Sequence, residues 1–413
     1  MLLCKNTEQT YMHSAQPSRQ GISTRAWYRL ITDDHNALNL TTIQMIPALN
    51  PKIRAPTSTP KRRPLQAQRP SQKTEHTADS GGLPRVVSLF CGAGGLDWGF
   101  HQEGFEIPLA IDLSEAAVRT HHKNFPETLS VAGDLIELQP TGVTDLVKTV
   151  IHAKTRIGLI GGPPCQGFSR ANTGAQADDP RNLLPQLYLD IVNLLQKTYT
   201  VDFVVFENVL GIRDKRHAAI YKSLVNGLKN IGFVVTEKEL CAVDFGVPQN
   251  RRRIVLSAMR EGQNFGEVVP AKRDGLKTVR QAIEGLPAPA FFKRKPDGVA
   301  FPEHPNHWTM QPKSPRFQNP DDRKGEGRSF KRLLWDVASP TVAFGHREIH
   351  IHPSGTRRLS IYEAMLLQGF PKTFVLEGNL SEQVEQVSNA VPPPMGKSIA
   401  AAVKSALRAA EAS

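Results

Sequence analysis

From residue 85 to residue 258, short apolar runs alternate with segments of helical periodicity. Runs such as 85–90 and 157–160 are short and rich in β-branched or aromatic residues, which is typical of strands. Segments such as 114–124 and 183–197 carry apolar residues every three or four positions, which is typical of helices. Because successive parallel strands need helical crossovers, this alternation predicts an α/β fold with a doubly wound, mostly parallel sheet.

Composition divides the 413 residues into four parts. Residues 1–83 are rich in proline and polar residues, so we expect a disordered basic extension there. Residues 84–259 carry the strand and helix alternation. In residues 260–357 proline, glycine, histidine and charge predominate, which indicates a smaller and less regular domain. Helical sequence resumes in residues 358–413, which we expect to return to the first domain.

The charge balance is basic, with 51 Lys and Arg against 39 Asp and Glu and a formal net charge of +12. This favours a polyanionic partner such as nucleic acid, although a basic cytosolic protein without such a partner has the same balance. No apolar run reaches the roughly 18 residues that cross a bilayer, and no secretion signal is recognisable. Four widely spaced cysteines form neither a disulfide framework nor a zinc pattern. We therefore expect a cytoplasmic protein with no membrane partner.

Cys165 lies directly after the predicted strand 157–160, in the sequence Gly161-Gly162-Pro163-Pro164-Cys165-Gln166. The two prolines restrict the backbone and the glycines relax its steric limits. Open α/β sheets place their chemistry at the carboxyl ends of the strands. A thiol that stays reduced at such a position is a candidate nucleophile.

A glycine-rich turn, Phe90-x-Gly92-x-Gly94-Gly95, follows the first predicted strand. Such a turn lets the backbone approach a ligand closely. Asp112 ends the next strand, where an acid typically binds ribose hydroxyls, and Asp134 follows a third segment, where it could contact an adenine amino group. Either aspartate could instead cap a helix. The phosphate loop of nucleotide hydrolases is not found in the sequence, so a mononucleoside-like cofactor fits the turn better.

Charged residues also adjoin two later strands. Glu207 directly follows the apolar run 203–206, where burial would favour its protonated form. The alternative interpretation of Glu207 is a structural carboxylate bonded to backbone amides. Arg251 and Arg253 precede the strand 254–258, and alternation places them on one side. They could bind a carboxylate, phosphate or carbonyl, or belong to a solvated basic run.

Together these motifs resemble, in order, those of cytosine-5 DNA methyltransferases of bacterial restriction-modification systems. The resemblance covers most of residues 85–402. Besides the glycine turn and the Cys165 segment, it rests on the motifs Glu207-Asn208-Val209, Gln249-x-Arg251-x-Arg253, Arg358-Leu359-Ser360-x-x-Glu363-Ala364-x-x-Leu367-Gln368-Gly369-Phe370-Pro371 and Gln386-Val387-Ser388-Asn389-Ala390-Val391-Pro392. The departures from the family pattern are Ser88 for aspartate, Leu366 for arginine and Ser388 for glycine.

The resemblance implies a Rossmann-like fold and a mechanism. Cys165 would attack carbon 6 of a cytosine flipped out of duplex DNA, which activates carbon 5 toward the methyl group of S-adenosyl-L-methionine. Glu207 would hold and protonate the ring nitrogen, and Arg253, with Arg251 beside it, would complete the catalytic set. We expect a monomer that acts on double-stranded DNA in a bacterial cell and is paired with a restriction endonuclease whose cutting it prevents.

The resemblance also implies a cofactor site and a recognition domain. The implied cofactor contacts are Phe90, Gly92, Gly94, Asp112, Leu113, Asp134, Pro164, Asn389 and Val391. Residues 260–357 would form the target-recognition domain, with candidate contacts to phosphate or guanine at Arg316, Lys324, Arg328, Arg332 and Arg347; each could instead be a solvated surface charge.

Histidines are frequent in the same region, at His304, His307, His346, His350 and His352. Their spacing fits no standard zinc set and no cysteine joins them, so we expect no metal and interpret them as DNA-facing or structural.

Two other functions remain open at this stage. The same scaffold could methylate cytosine in transfer RNA. A non-catalytic nucleic-acid-binding module is a further alternative, against which the intact set of Cys165, Glu207 and Arg253 argues.

Overall fold

The computed structural model describes residues 66–69, 82–164, 183–263, 265–269, 275–292, 304–318, 331–341, 343–344 and 348–412. The expected disordered extension, residues 1–83, lies outside the described residues except for 66–69 and 82–83. Cys165 lies outside them as well.

The central feature is an eight-stranded sheet. In spatial order its strands are β1 (Gln66–Gln68), β4 (Leu129–Ala132), β3 (Leu109–Asp112), β2 (Arg85–Leu89), β5 (Arg156–Gly161), β6 (Thr200–Asn208), β8 (Arg252–Arg260) and β7 (Phe233–Cys241). Strands β2 to β6 pair in parallel. The strand β8 pairs antiparallel with both β6 and β7, and β1 pairs antiparallel with β4. The prediction of a doubly wound, mostly parallel α/β sheet is confirmed.

Helices cover both faces of this sheet. The helices are α1 (Gly95–Gln102), α2 (Glu115–Asn124), α3 (Leu135–Val150), α4 (Leu184–Leu195), α5 (Ala218–Asn230), α6 (Val279–Ile283), α7 (Ile361–Gln368), α8 (Leu380–Asn389) and α9 (Pro393–Glu411). One core joins the sheet to α3, α4 and α5, and a second joins its other face to α1 and α9. Along β6, Val204 and Phe206 belong to the first core whereas Phe203 and Val205 belong to the second. Burial on both faces explains why the strands are continuous apolar runs.

The segment after β8 is less regular. Its described residues form two small sheets, β9 (Ala290–Phe292) with β10 (Trp308–Met310) and β11 (Ala343–Phe344) with β12 (Glu348–Ile349). A third core connects this segment with α6, α7 and α8. In the part of the chain that is described, no helix has the length and apolarity needed to cross a membrane.

Candidate active site

The carboxyl ends of the parallel strands place the candidate residues at one edge of the sheet. The glycine turn follows β2, Asp112 ends β3, Pro163 and Pro164 follow β5, and Glu207 lies near the end of β6. Because β8 runs antiparallel to β6, its first residues lie at this edge too. The register pairs Glu207 with Val255, two residues beyond Arg253.

Glu207 and Arg253 form an ion pair at this edge. The Arg253 Nε atom lies 2.9 Å from Oε1 of Glu207, and only 7% of Glu207 is exposed. Burial raises the pKa of Glu207, and the guanidinium groups of Arg253 and Arg251 partly oppose this rise. A carboxyl group in this environment can hold a proton at higher pH than an exposed glutamate can, which suits it to donate that proton to a bound base.

The segment before Cys165 packs directly against Glu207. A Cβ atom on Gly162 would lie only 2.8 Å from Oε2 of Glu207 and 3.3 Å from its carbonyl oxygen. The Asn208 side chain, which is 1% exposed, donates from Nδ2 to the carbonyl oxygen of Pro163 at 3.2 Å. The backbone leading to Cys165 is therefore bound to the strand that carries Glu207, and a larger residue at position 162 would crowd the Glu207 carboxylate.

Arg251 lies inside the protein, with 1% of its surface exposed. Its Nη2 atom donates to the carbonyl oxygen of Asn389 at 3.4 Å. The intervening Arg252 is exposed and pairs with Glu239, 3.1 Å away. Arg251 thus connects the end of α8 with the region of Glu207, whereas Arg252 faces the surface.

Two buried glutamines reinforce this connection. Gln249 donates from Nε2 to the side-chain oxygen of Gln368, and Gln368 donates from its own Nε2 to the carbonyl oxygen of Ala390 at 2.6 Å. Both side chains are at most 1% exposed. Because unpaired amides are costly in the interior, this chain holds the segments before β8 and after α8 in a fixed relation.

The glycine turn has a left-handed backbone at three places. The φ angles of Phe90, Gly92 and Gly94 are 56°, 54° and 87°. A positive φ is uncommon for a residue such as Phe90 and marks local strain of the kind found at binding sites. A Cβ atom on Gly95 would lie 2.2 Å from the carbonyl oxygen of Val391, whereas one on Gly92 would meet nothing within 4 Å. The turn is packed against Val391 on one side and open beside Gly92.

The two candidate aspartates both bind backbone amides. Asp112 accepts from Gly92 at Oδ2 and from Ser114 at Oδ1, each at 2.8 Å. Burial raises the pKa of Asp112, and these two hydrogen bonds oppose the rise. A carboxylate offers about four acceptor sites, so two amide bonds leave capacity for hydroxyl groups. Asp134 caps α3 and accepts from Ile136 at 2.8 Å, so the alternative role of helix cap is observed for it.

The remaining predicted cofactor contacts differ in exposure. Leu113, beside Asp112, is 69% exposed, an unusual position for a large apolar side chain and one from which it could cover a ligand. Pro164 and Asn389 are exposed, and Val391 is buried against the turn. None of these side chains blocks the open side of the turn at Gly92.

Most of the predicted DNA contacts lie outside the described residues. This holds for Lys324, Arg328, Arg347 and the side chain of Arg316. Arg332 is half-buried, and its Nε donates to the carbonyl oxygen of Pro353 at 2.8 Å. This bond ties Arg332 to the loop that carries Pro353.

The histidines of this region have structural partners; His346 lies outside the described residues. His304 and His307 contact the carbonyl oxygens of Phe374 and Pro287, at 3.0 and 2.8 Å. His350 contacts that of Thr341 at 2.8 Å, and His352 contacts the hydroxyl of Ser354 at 2.9 Å. Across the described ranges, no three His, Cys, Asp or Glu side chains are grouped so as to hold a metal ion.

Fold and site together define an α/β protein with a glycine-rich turn and a buried acid at the carboxyl edge of its parallel strands. The profile of the C-5 cytosine-specific DNA methylase family matches residues 84–405. The chain belongs to this family, and it is a DNA cytosine-5 methyltransferase.

Individual relatives agree with this assignment. The chain is 34% identical over 343 residues to the Type II methyltransferase M.MthTI of Methanothermobacter thermautotrophicus, covering 77% of this chain and 96% of that protein. It is 32% identical over 359 residues to M.NmeDI of Neisseria meningitidis, covering 78% and 84%. Among solved structures, a protein of E. coli assigned as a prophage-encoded DNA modification methyltransferase aligns with a TM-score of 0.63 at 25% identity, covering 79% of this chain and all of that one.

Sequence reasoning missed the contacts that hold the site together. From the sequence, Gly162 is expected only to relax the steric limits of the backbone, and Asn208 has no assigned role. Their contacts with Glu207 and Pro163 appear only in the structure. Sequence reasoning also assigned nothing to Asp97, His121 and Ser130, which lie beneath the glycine turn. Only the packing of α1 and α2 against β4 brings these three side chains together.

Proposed function

We propose that this enzyme methylates carbon 5 of a cytosine flipped out of a specific duplex DNA sequence, through a covalent bond between Cys165 and carbon 6. Carbon 5 of cytosine is a weak nucleophile, and addition of the Cys165 thiolate to carbon 6 makes it enamine-like. After methyl transfer a base would remove the proton from carbon 5, and the thiolate would leave carbon 6, which restores the aromatic ring and frees the enzyme. Extrusion of the base costs a few kcal/mol, which contacts with the extruded base offset.

The buried pair of Glu207 and Arg253 is the observation that carries this proposal. The raised pKa of Glu207 lets this side chain deliver a proton to the ring nitrogen of cytosine as the thiolate adds, so that negative charge does not accumulate on the ring. Arg253, 2.9 Å from the carboxylate, orients it and can support the cytosine carbonyl oxygen. A preorganised group of this kind typically contributes about 3 kcal/mol to the transition state.

S-adenosyl-L-methionine fits the glycine turn, and when bound it supplies the methyl group. The fit rests on the open space beside Gly92, the spare acceptor capacity of Asp112 and the exposed apolar side chain of Leu113. Asp112 would bind the ribose hydroxyls and Leu113 would cover the adenine. Phe90, Gly94, Asp134, Pro164, Asn389 and Val391 would complete the cofactor site.

We further propose that methylation protects the host's DNA from a partner restriction endonuclease. The curated relatives are Type II methyltransferases, a class named for such systems. The segment between β8 and α7 would supply the sequence-specific contacts as the target-recognition domain, with Arg316, Lys324, Arg328, Arg332 and Arg347 as its candidate DNA contacts. The enzyme would act as a monomer on double-stranded DNA.

Bisulfite sequencing of DNA from cells that express the full chain tests activity and site together. We expect methylcytosine at one recurrent sequence, and none with Cys165→Ser. A duplex carrying 5-fluorocytosine at that site should trap wild-type enzyme covalently and leave the variant untrapped. Persistent turnover by Cys165→Ser would refute the nucleophile, and methyl transfer to transfer RNA alone would refute the DNA substrate.

A further inference from the structure

Three buried polar side chains form a hydrogen-bonded chain beneath the glycine turn. His121 on α2 contacts the Ser130 hydroxyl on β4 through Nδ1 at 2.9 Å, and Oδ1 of Asp97 on α1 through Nε2 at 3.1 Å. At most 1% of each side chain is exposed. The chain is therefore closed to substrates, and its possible effect is on the structure around it.

The chemistry of these groups fixes the orientation of the imidazole. The Oδ1 atom of Asp97 is a hydrogen-bond acceptor, so Nε2 of His121 donates to it. Nδ1 pairs with the hydroxyl of Ser130, which can either donate to it or accept from it. Because an unpaired carboxylate is very costly in the interior, any other ring orientation is strongly disfavoured.

The imidazole ring of His121 packs directly against the backbone of the glycine turn. It stacks on Phe125 with a centroid distance of 4.3 Å and an interplanar angle of 22°. A Cβ atom on Gly94 would lie 3.0 Å from Cδ2 of His121 and 2.6 Å from Cε2 of Phe125. The backbone of Gly94, with its φ of 87°, thus rests directly on these two rings.

The chain also reaches the strand that carries the cofactor aspartate. Ser130 pairs with Ala110 on β3, two residues before Asp112. Burial raises the pKa of Asp112, and His121 is one of the groups that oppose this rise. A change at His121 would therefore act on the turn and on the carboxylate that binds it.

We propose that Asp97, His121 and Ser130 act as a clamp that positions the glycine turn and Asp112 for S-adenosylmethionine. This inference rests on the proposed function, because it presumes that this cofactor binds the turn. Asp97, at the third residue of α1, holds the helix that the turn begins, and Ser130 holds the sheet beneath it. His121 joins the two and is a positioning residue that touches no reacting atom.

The test is His121→Phe in the full chain, with the equilibrium dissociation constant for S-adenosylhomocysteine measured by calorimetry without DNA. Phenylalanine keeps a flat ring on Phe125 and removes both hydrogen bonds. We expect the constant to rise about tenfold or more, as for the loss of one charge-assisted hydrogen bond. The KM for DNA should stay within about twofold, because the change acts on the cofactor turn and not on DNA contacts.

His307→Phe is a matched control. His307 is fully buried and bonded through both ring nitrogens, to the Ser360 hydroxyl at 2.9 Å and to the Pro287 carbonyl oxygen, but it lies in the recognition segment. It should lose similar stability in urea and keep the wild-type constant for S-adenosylhomocysteine. Equal weakening of cofactor binding in both variants would mean a general loss of stability and would overturn the clamp.

Failure of the clamp and failure of the proposed function give different results. If the wild-type chain binds S-adenosylhomocysteine and folded His121→Phe binds it equally well, only the clamp is wrong. If the wild-type chain does not bind it, both proposals fail. Should His121→Phe not fold, Ser130→Ala removes a single hydroxyl; a constant raised about threefold supports the clamp, and an unchanged one overturns it.

Discussion

Gly162→Ala is the sharpest test of the active-site geometry, because it adds one methyl group beside Glu207. That group would lie 2.8 Å from Oε2 of Glu207 and 3.3 Å from its carbonyl oxygen. The backbone oxygen belongs to a central strand and cannot easily move, so the carboxylate must shift by roughly half an ångström to reach ordinary contact distance. That shift moves the Glu207 carboxylate away from Arg253, whose Nε atom lies 2.9 Å from the other carboxylate oxygen, Oε1.

We expect a large loss of rate and a modest loss of stability from this change. A misplacement of about 1 Å can cost 10²-fold in rate, so kcat should fall about 10- to 100-fold. Overpacking of this size costs about 1–3 kcal/mol in the free energy of unfolding. The rate would be measured as transfer of a tritiated methyl group to unmethylated DNA at saturating substrates, and the stability by urea unfolding.

Gly142→Ala is the control for this substitution. Its Cβ atom would meet only the Leu138 side chain, at 3.3 Å, within α3. Alanine is favoured over glycine in helices by up to about 1 kcal/mol, so this variant should keep full activity and equal or greater stability. If folded Gly162→Ala retains the kcat of both the control and the wild type, then the reasoning that Glu207 must stay against Gly162 during catalysis is wrong.

Two further substitutions test the ion pairs. Arg253→Gln should lower kcat about 10²–10³-fold. Because Arg253 lowers the pKa of Glu207, its loss raises that pKa, and the high-pH limb of the pH–rate profile should move to higher pH. A limb that does not move would contradict the assignment of Glu207 as the acid. Arg357→Met should cost about 3–5 kcal/mol in urea unfolding, since it removes the two hydrogen bonds of 2.7 Å that Arg357 donates to the buried Glu363 and leaves this carboxylate only the backbone amide of Ser360 at that distance. Arg85→Met, whose partner carboxylate is two-thirds exposed, should cost less than about 1 kcal/mol, and equal costs would refute the burial argument.

Local sequence patterns predicted the regular elements well. The helical segment predicted at 114–124 corresponds to Glu115–Asn124, and the predicted strand 157–160 lies within Arg156–Gly161. Both are bounded by residues that end such elements, and both have one clear periodicity. The strand Gln66–Gln68 was not predicted, because three polar residues carry no periodic signal and form a strand only by pairing with β4.

The direction of β8 could not be predicted in the same way. The predicted strand 254–258 could pair in parallel or antiparallel with its neighbours, since the alternation of side chains is the same in both cases. The structure inserts β8 antiparallel between β6 and β7. This insertion is what brings Arg253 to the carboxyl edge, beside Glu207.

By itself the sequence determined the fold class and the order of the motifs, because apolar periodicity and glycine or proline positions act over a few residues. It placed Glu207 at a strand end and the glycines at a turn for the same reason. Only the tertiary structure decided which of these groups touch: Gly162 against Glu207, Arg253 on its other side, and His121 beneath Gly94. Those contacts depend on strand order and on the packing of helices far apart in the chain, which no local pattern encodes.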